Sequence, residues 1–222
     1  HYNLYRPDIP SEQCFDKVCF RENLEPSGQY LLLQGVQGIN DDAKDGNTII
    51  RYTDQGQIWL FANTDRLTHY DRNGVFVSTG TDSASPARCA RLDYQAFSRD
   101  ADAAGSTLRD HGGSDWQRNI LWRKGRYFAV LDRVTAEEDG PYSAACTWRT
   151  PGFASLQDDV WTGRQGDCEM TLHCASPVSQ VADHPPEAEG AARPYRLRQR
   201  QSAELAAGEE MTFLNVIVVS SL

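Results

Sequence analysis

The segment Ser27–Asn63, SGQYLLLQGVQGINDDAKDGNTIIRYTDQGQIWLFAN, decides how the rest of the chain is read. Tyr30–Val36 is a short apolar run flanked by glycines, so it reads as a buried strand. Asn47–Thr53 is β-branched and partly alternating, with Ile49 and Ile50 inside it. Asp54-Gln55-Gly56 is turn chemistry, so Asn47–Thr53 and Gln57–Phe61 pair as a hairpin. Between the first two strands lies Gln37–Gly46, a polar loop with Asp41, Asp42 and Asp45. A loop held by strands at both ends is where a β-protein places chemistry.

Working outward, residues 1–26 are an irregular lead-in with Pro7, Pro10 and Pro26, inside which Phe15–Arg21 forms a short strand. Thr64–Asn73 is a polar loop, followed by strands at Val75–Thr79 and Ala87–Phe97. The second of these sets Ala90, Leu92, Tyr94 and Ala96 on one face. Ser98–Ser114 is rich in Asp and Gly and reads as a loop with one short strand. Trp116–Trp122 and Arg126–Val134 form the clearest hairpin, around Lys124-Gly125, with Trp116, Ile120 and Trp122 sharing a face. Tyr142–Arg149 alternates, with Tyr142, Ala144, Cys146 and Trp148 facing in and Ser143, Thr147 and Arg149 facing out. Val160–Gly163 and Cys168–Cys174 continue the series, the latter with Cys168, Met170, Leu172 and Cys174 on one face. Ser176–Pro194 reads as an exposed loop. Tyr195–Gln201 is a strand leading into a helical turn over Gln201–Ala207, and Met211–Val219, apolar on both faces, is a central strand. About a dozen strands without a long helix or a repeat predict an all-β chain, a large multi-stranded antiparallel β-sandwich of the supersandwich kind, as one domain over residues 1–222.

The charge balance is 22 Lys and Arg against 31 Asp and Glu, a net charge of −9. Such a field argues against nucleic acid, and a polyanionic ligand would need a local basic patch. No apolar stretch has the length of a membrane span, so no membrane partner is expected. The sequence shows neither a signal peptide nor an initiating methionine, which fits an excised piece of a longer chain. Six cysteines leave two readings open, free core thiols or long-range pairs in an oxidising compartment. A Cys168–Cys174 bridge is not one of them: at about 3.3 Å per residue their separation along one strand is about 20 Å.

The same stretches carry a resemblance. The chain resembles the carboxy-terminal β-domain of heparinase II/III-like proteins, a polysaccharide lyase group. That pattern is a strand ending in Gly, a loop with His-x-His-x-Asp-x-Asn, then two strands around a turn with Gly. Tyr30–Gly35, Asp45, Asn47 and Gly56–Leu60 fit it, and DWQRNILWRKGRYFAVLDRV fits a later strand pair. The family's two loop histidines fall at Asp41 and Ala43. A third, from a His-Asn ahead of a Val-x-Val strand, falls at Arg72 in Arg72-Asn73-Gly74-Val75-Phe76-Val77. The resemblance implies a sandwich that walls an acidic-glycan cleft beside an amino-terminal helical toroid domain, in a periplasmic or extracellular setting. The toroid supplies the acid/base tyrosine and an asparagine. With the three histidines replaced and no toroid ahead of His1, the isolated chain is expected to be non-catalytic. The alternative is a carbohydrate-binding or protein-interaction module.

Site candidates follow from both readings. β-Elimination needs a base beside the uronate carboxylate, stabilisation of the enolate and an acid for the leaving oxygen. His69, next to Tyr70, is the candidate replacement base; the competing reading is an exposed loop histidine. Asn47 and Asn73 match pattern positions, Arg72 stands in place of the third histidine, and all three are candidates for substrate binding. Arg196, Arg198 and Arg200 recur at every second residue, about 6.6 Å apart on one strand face, which suits carboxylates or sulfates. The competing reading is an exposed edge strand guarded by charge. Asp41 and Asp45 are oxygen ligands of the kind a hard cation takes, but the calcium-loop spacing is not met, and a solvated acidic turn fits as well. No cofactor is required; a divalent metal is the one candidate.

Overall fold

The computed structural model describes residues 9–36, 46–62, 72–79, 89–176, 179–183 and 194–222. Its strands form three antiparallel sheets, and no α-helix occurs among the described residues. The first sheet is a meander of β1 (Lys17–Arg21), β2 (Tyr30–Gln34), β3 (Thr48–Asp54) and β4 (Gln57–Phe61). The second contains β5 (Val75–Ser78), β10 (Gly140–Thr150), β14 (Ser179–Asp183) and β15 (Tyr195–Leu205), in the order β14-β15-β10-β5. The third has eight strands: β6 (Arg91–Phe97), β7 (Ala101–Leu108), β8 (Ser114–Arg123), β9 (Tyr127–Ala136), β11 (Phe153–Gln157), β12 (Val160–Gln165), β13 (Cys168–Cys174) and β16 (Glu210–Ser221). Their order is β11-β12-β13-β16-β9-β8-β7-β6.

Alternation within the strands makes the layers. Trp116, Ile120 and Trp122 of β8, Phe128, Val130 and Val134 of β9, and Met211, Phe213 and Ile217 of β16 are buried on one face of the large sheet. The first sheet covers part of that face: the Phe20 ring meets Trp122 at 6.4 Å and Phe128 at 5.9 Å, and Tyr52 meets Phe128 at 5.3 Å. The second sheet covers the rest with Cys146, Trp148, Leu197 and Gln199, and Gln199 Nε2 donates to Asn215 Oδ1 of β16 at 2.8 Å. The two small sheets therefore form one layer and the eight-stranded sheet the other, as the alternation predicts. They meet where the Arg149 guanidinium of β10 lies over the Phe61 ring of β4 at 4.8 Å. All five tryptophans are buried in this interior, where truncating one costs about 3–5 kcal/mol.

Several strands differ from the sequence expectation. Residues 98–114 hold the eight-residue β7, whose small residues (Ala101, Ala103, Ala104, Gly105) hide a strand because β-propensity rewards large and branched side chains. β14 is a short edge strand inside the stretch read as an exposed loop, and β11 is a short edge strand in a stretch to which the sequence reading gave no element. β15 runs unbroken to Leu205, with no helical turn over Gln201–Ala207, because β10 pairs with it as far as Gly140. β16 is central as expected and carries apolar residues on both faces, but its burial alternates, with Thr212 and Leu214 of the second face exposed. Thr147 and Arg149 do face away from the core but are buried there. None of the six cysteines is in a disulfide.

Candidate functional site

The positions that carry the resemblance converge on one buried guanidinium. Arg118 and Asp132 are register partners across the β8–β9 hairpin, and both are fully buried. The Asp132 carboxylate accepts from Arg118 Nε at 2.8 Å, Arg118 Nη2 at 2.9 Å and Trp116 Nε1 at 2.8 Å. Taking such a pair out of water costs several kcal/mol per ion, and only bidentate geometry with further donors offsets that. The Arg118 plane also lies over Trp116 at 4.9 Å and Trp148 at 5.6 Å. Its remaining nitrogen, Nη1, donates to the backbone carbonyls of Asn73 at 2.8 Å and Asn47 at 3.2 Å.

Asn47, directly ahead of β3, lies in the left-handed region with φ 63°, a conformation that asparagine tolerates better than most residues. Its amide Nδ2 donates to Trp116 O at 3.2 Å and its Oδ1 accepts from the Ser106 hydroxyl. Asn73 donates from Nδ2 to Ile49 O at 3.0 Å, and its Oδ1 accepts the Arg149 backbone N–H at 2.7 Å. Both asparagines are fully buried, so their amides hold the ends of two segments onto the sandwich instead of presenting groups to solvent. Arg72 is also buried, and desolvation lowers its pKa. Cys146 donates from Sγ to Asp132 Oδ2 at 3.8 Å; burial first, then the Asp132 charge, pushes its thiol well up. Burial pushes the Cys174 thiol up to about 12. Neither thiol is a nucleophile in that state.

A second cluster lies on the far side of β10 and β15. The register sets Arg149 opposite Arg196, Thr147 opposite Arg198 and Ala145 opposite Arg200. Cross-strand partners share a face, so four arginines stand on the outer face of the second sheet. One carboxylate serves two of them: Asp183 accepts from Arg196 Nε at 2.7 Å and Nη2 at 2.9 Å, and also from Arg198 Nη2. Arg200 is exposed, and its side chain makes no hydrogen bond among the described residues. Burial, then the charges of Arg198 and Arg200, bring Arg196 down to about 10 despite the Asp183 carboxylate. Beside Arg198 and Arg200 runs a groove of about 230 Å³ lined by Phe76, Ser78, Ser143 and Ala145. β15 lies between β14 and β10, so the arginine row does not guard an exposed edge strand.

The other candidates, His69, Tyr70, Asp41 and Asp45, lie outside the described residues, as does Ala43. Among the described residues no group of three or more His, Cys, Asp or Glu side chains is placed to hold a metal ion. His111 is buried, with Nε2 at 2.9 Å from Val75 O and its ring 5.4 Å from Trp116, and His173 is exposed.

Sequence reading missed Arg118, Asp132, Arg149 and Asp183. For the first two the signal was present: each interrupts the inward row of an otherwise apolar hairpin strand. The hairpin loop spans Lys124–Arg126, with Arg126 N–H donating to Arg123 O at 2.9 Å, and that loop length fixes the register that pairs them. Arg149 and Asp183 had no local signal, because β14 and the β10–β15 register were not visible.

No protein-family model matches the sequence, and no curated protein matches it. Solved structures do. The chain is similar to heparan sulfate lyase HepC from Pedobacter heparinus at 12% identity and a TM-score of 0.73, covering 96% of this chain and 36% of that one. A heparinase III, the BT4657 gene product, aligns at 11% identity and a TM-score of 0.70, over 94% of this chain and 35% of its own. A protein from Escherichia coli K12 described as an aldose 1-epimerase aligns at 11% identity and a TM-score of 0.55, over 93% of this chain and 100% of its own. The fold is thus that of the β-sandwich regions of these proteins, and the chain spans about a third of the length of the lyase structures.

Proposed function

We propose that this chain is the β-sandwich domain of a heparinase II/III-like polysaccharide lyase homologue, that it walls an acidic-glycan cleft, and that it is not catalytic by itself. The observation that carries the reading is the arginine face of the second sheet. The protein as a whole is acidic, with a net charge of −9. Arg149, Arg196, Arg198 and Arg200 nevertheless share one sheet face, where Asp183 grips two of them. Like charges held together in a partly desolvated place repel one another, and an incoming polyanion relieves that repulsion. Guanidinium forks suit carboxylates and sulfates, and the Phe76 ring in the adjoining groove offers an apolar surface to a sugar. The likeness in fold to heparan sulfate lyases supports the same partner.

Arginines hold anions but are poor proton carriers near neutral pH, even with Arg196 lowered to about 10. The family's histidine positions read Asp41, Ala43 and Arg72. Anion binding without proton transfer follows. The test is a titration of heparan-type and alginate-type polymers into the chain, beside an absorbance assay for the unsaturated elimination product. Saturable binding that weakens about tenfold or more in Arg198→Ala and Arg200→Ala supports the reading, since a charged hydrogen bond contributes about 1.5–3 kcal/mol. Turnover by the chain alone overturns the non-catalytic part and returns His69 as the replacement base. Equal binding by both variants overturns the arginine face as the site. The second reading, a carbohydrate-binding module, is favoured by the alignment over the whole length of the aldose 1-epimerase-like structure. Binding of neutral monosaccharides in preference to polyanions would select it.

A further inference from the structure

The outer face of the first sheet carries a second cleft that the glycan reading does not use. It has a volume of about 560 Å³, the size of a small-molecule site. Cross-strand register builds its floor and walls. Cys19, Leu32 and Arg51 form one row across β1, β2 and β3, and Arg21, Tyr30 and Thr53 form the next. The register shifts between Leu32 and Leu33, and the extra residue, Ile50, adds its side chain to the lining. Tyr30, Leu32 and Ile50, all half-buried, supply an adjoining apolar floor.

The polar groups converge from two sides. Arg21 donates from Nε to Asn23 O at 2.7 Å and from Nη2 to Leu24 O at 3.5 Å, which fixes the side chain with its Cζ 5.7 Å from the Tyr30 ring centre. Neither partner is a carboxylate, so the charge of Arg21 is not neutralised by them. Arg51 is exposed, and its side chain makes no ion pair or hydrogen bond among the described residues. Both cations act on the Tyr30 hydroxyl, which also contacts the Cys19 thiol, and burial keeps that phenol protonated as a donor. Two guanidinium groups and a phenol O–H thus face an apolar floor, with Glu25 the one acidic member of the lining among the described residues. Donors of this kind accept an oxyanion, and the floor accepts a flat body.

We propose that this cleft binds a small organic anion with a flat apolar body: the carboxylate or sulfate sits between Arg21 and Arg51 against the Tyr30 hydroxyl, and the body lies on Leu32 and Ile50. The site does not rest on the glycan reading and is tested apart from it. Cys19 is exposed and borders the cleft rather than lining it, in the same row as Leu32 and Arg51 and hydrogen-bonded to the Tyr30 hydroxyl against which the anion sits, so an occupant shields it. The experiment follows alkylation of each cysteine of the whole chain by N-ethylmaleimide, using peptide mapping, with benzoate as the probe. Benzoate is expected to slow Cys19 alkylation saturably, about tenfold at a concentration ten times its dissociation constant, while Cys168, outside the cleft, reacts at an unchanged rate. Benzyl alcohol, with the same ring and no charge, is expected to give no protection, and Arg51→Ala to lose the benzoate effect. Arg51 is exposed, so the variant keeps the fold, which its thermal midpoint checks. No slowing by benzoate, equal slowing by benzyl alcohol, or equal slowing in Arg51→Ala would each overturn the proposal.

Discussion

Arg118 joins the strand pair at the centre of the large sheet to the ends of two segments the resemblance singled out, through one guanidinium. Its partner Asp132 is as buried as it is, so removing the arginine leaves a carboxylate with no counter-charge in the interior. Arg118→Met should therefore lower stability by about 3–5 kcal/mol, measured by urea denaturation. The double variant Arg118→Met, Asp132→Leu should recover a large part of that loss, because the unpaired charge goes with the pair. A loss in the double variant equal to that of the single one would show that the contacts to Asn47 and Asn73, not the buried charge, dominate. Asp54 makes a different prediction. Its carboxylate accepts from Gln29 Nε2 at 2.9 Å and from the Tyr52 hydroxyl at 3.0 Å, but desolvation outweighs these and raises its pKa. A carboxyl raised in the folded state binds its proton more tightly there than in the unfolded chain. The stability it contributes is thus present below the ordinary carboxylate pKa and is lost as pH rises through the raised value. Asp54→Asn should remove that pH dependence. In urea titrations from about pH 4 upward, wild type should lose stability relative to the variant. Parallel curves would refute the assignment.

At the scale of elements, the β8–β9 hairpin and β16 form the middle of the eight-stranded sheet, and β6 and β11 its edges. Central strands are paired on both sides and covered on one face, whereas the edges present unpaired backbone groups. Native-state hydrogen exchange should rank amides of β9 and β16 as the slowest and those of β6 and β11 as the fastest among the large-sheet strands. Comparable protection at β11 would mean that its outer edge is covered. The hairpin itself depends on Gly125, which takes φ 66° within the loop that sets the register. Gly125→Val should cost about 1–2 kcal/mol, since a β-branched residue is strained there, and thermal unfolding reads the shift. The hairpin was legible from alternation and from Lys124-Gly125, but alternation does not fix the register, and without the register the buried ion pair stays hidden, because each one-residue step changes which residues face each other.

For the whole molecule, the net charge of −9 and the arginine face act in opposite directions on a polyanion. The global field slows approach, and the local cluster grips. Polyanion binding should weaken with added salt, because the contributing charges are partly exposed and screened within about 8–10 Å at ordinary ionic strength. Binding of a heparan-type polymer measured across a salt series should therefore fall steadily. Insensitivity to salt would point to neutral sugar recognition and to the module reading instead.

The sequence by itself determined the all-β class, the positions of most strands and the inward rows of the β8–β9 hairpin, β10 and β13. These are local properties, set by alternation and turn residues over a few positions. It also held the arginine spacing in β15, since the period of a strand fixes which side chains share a face. It did not contain what those arginines face. Arg149 and Asp183 come beside Arg196 only through the register of β10, β14 and β15, and strand pairing across long separations has no local code. The same reason separates Asn47 and Asn73 as pattern matches from Asn47 and Asn73 as buried anchors. Their amides are turned inward by partners on distant strands, and only the packing of the two layers brought Arg118 to both.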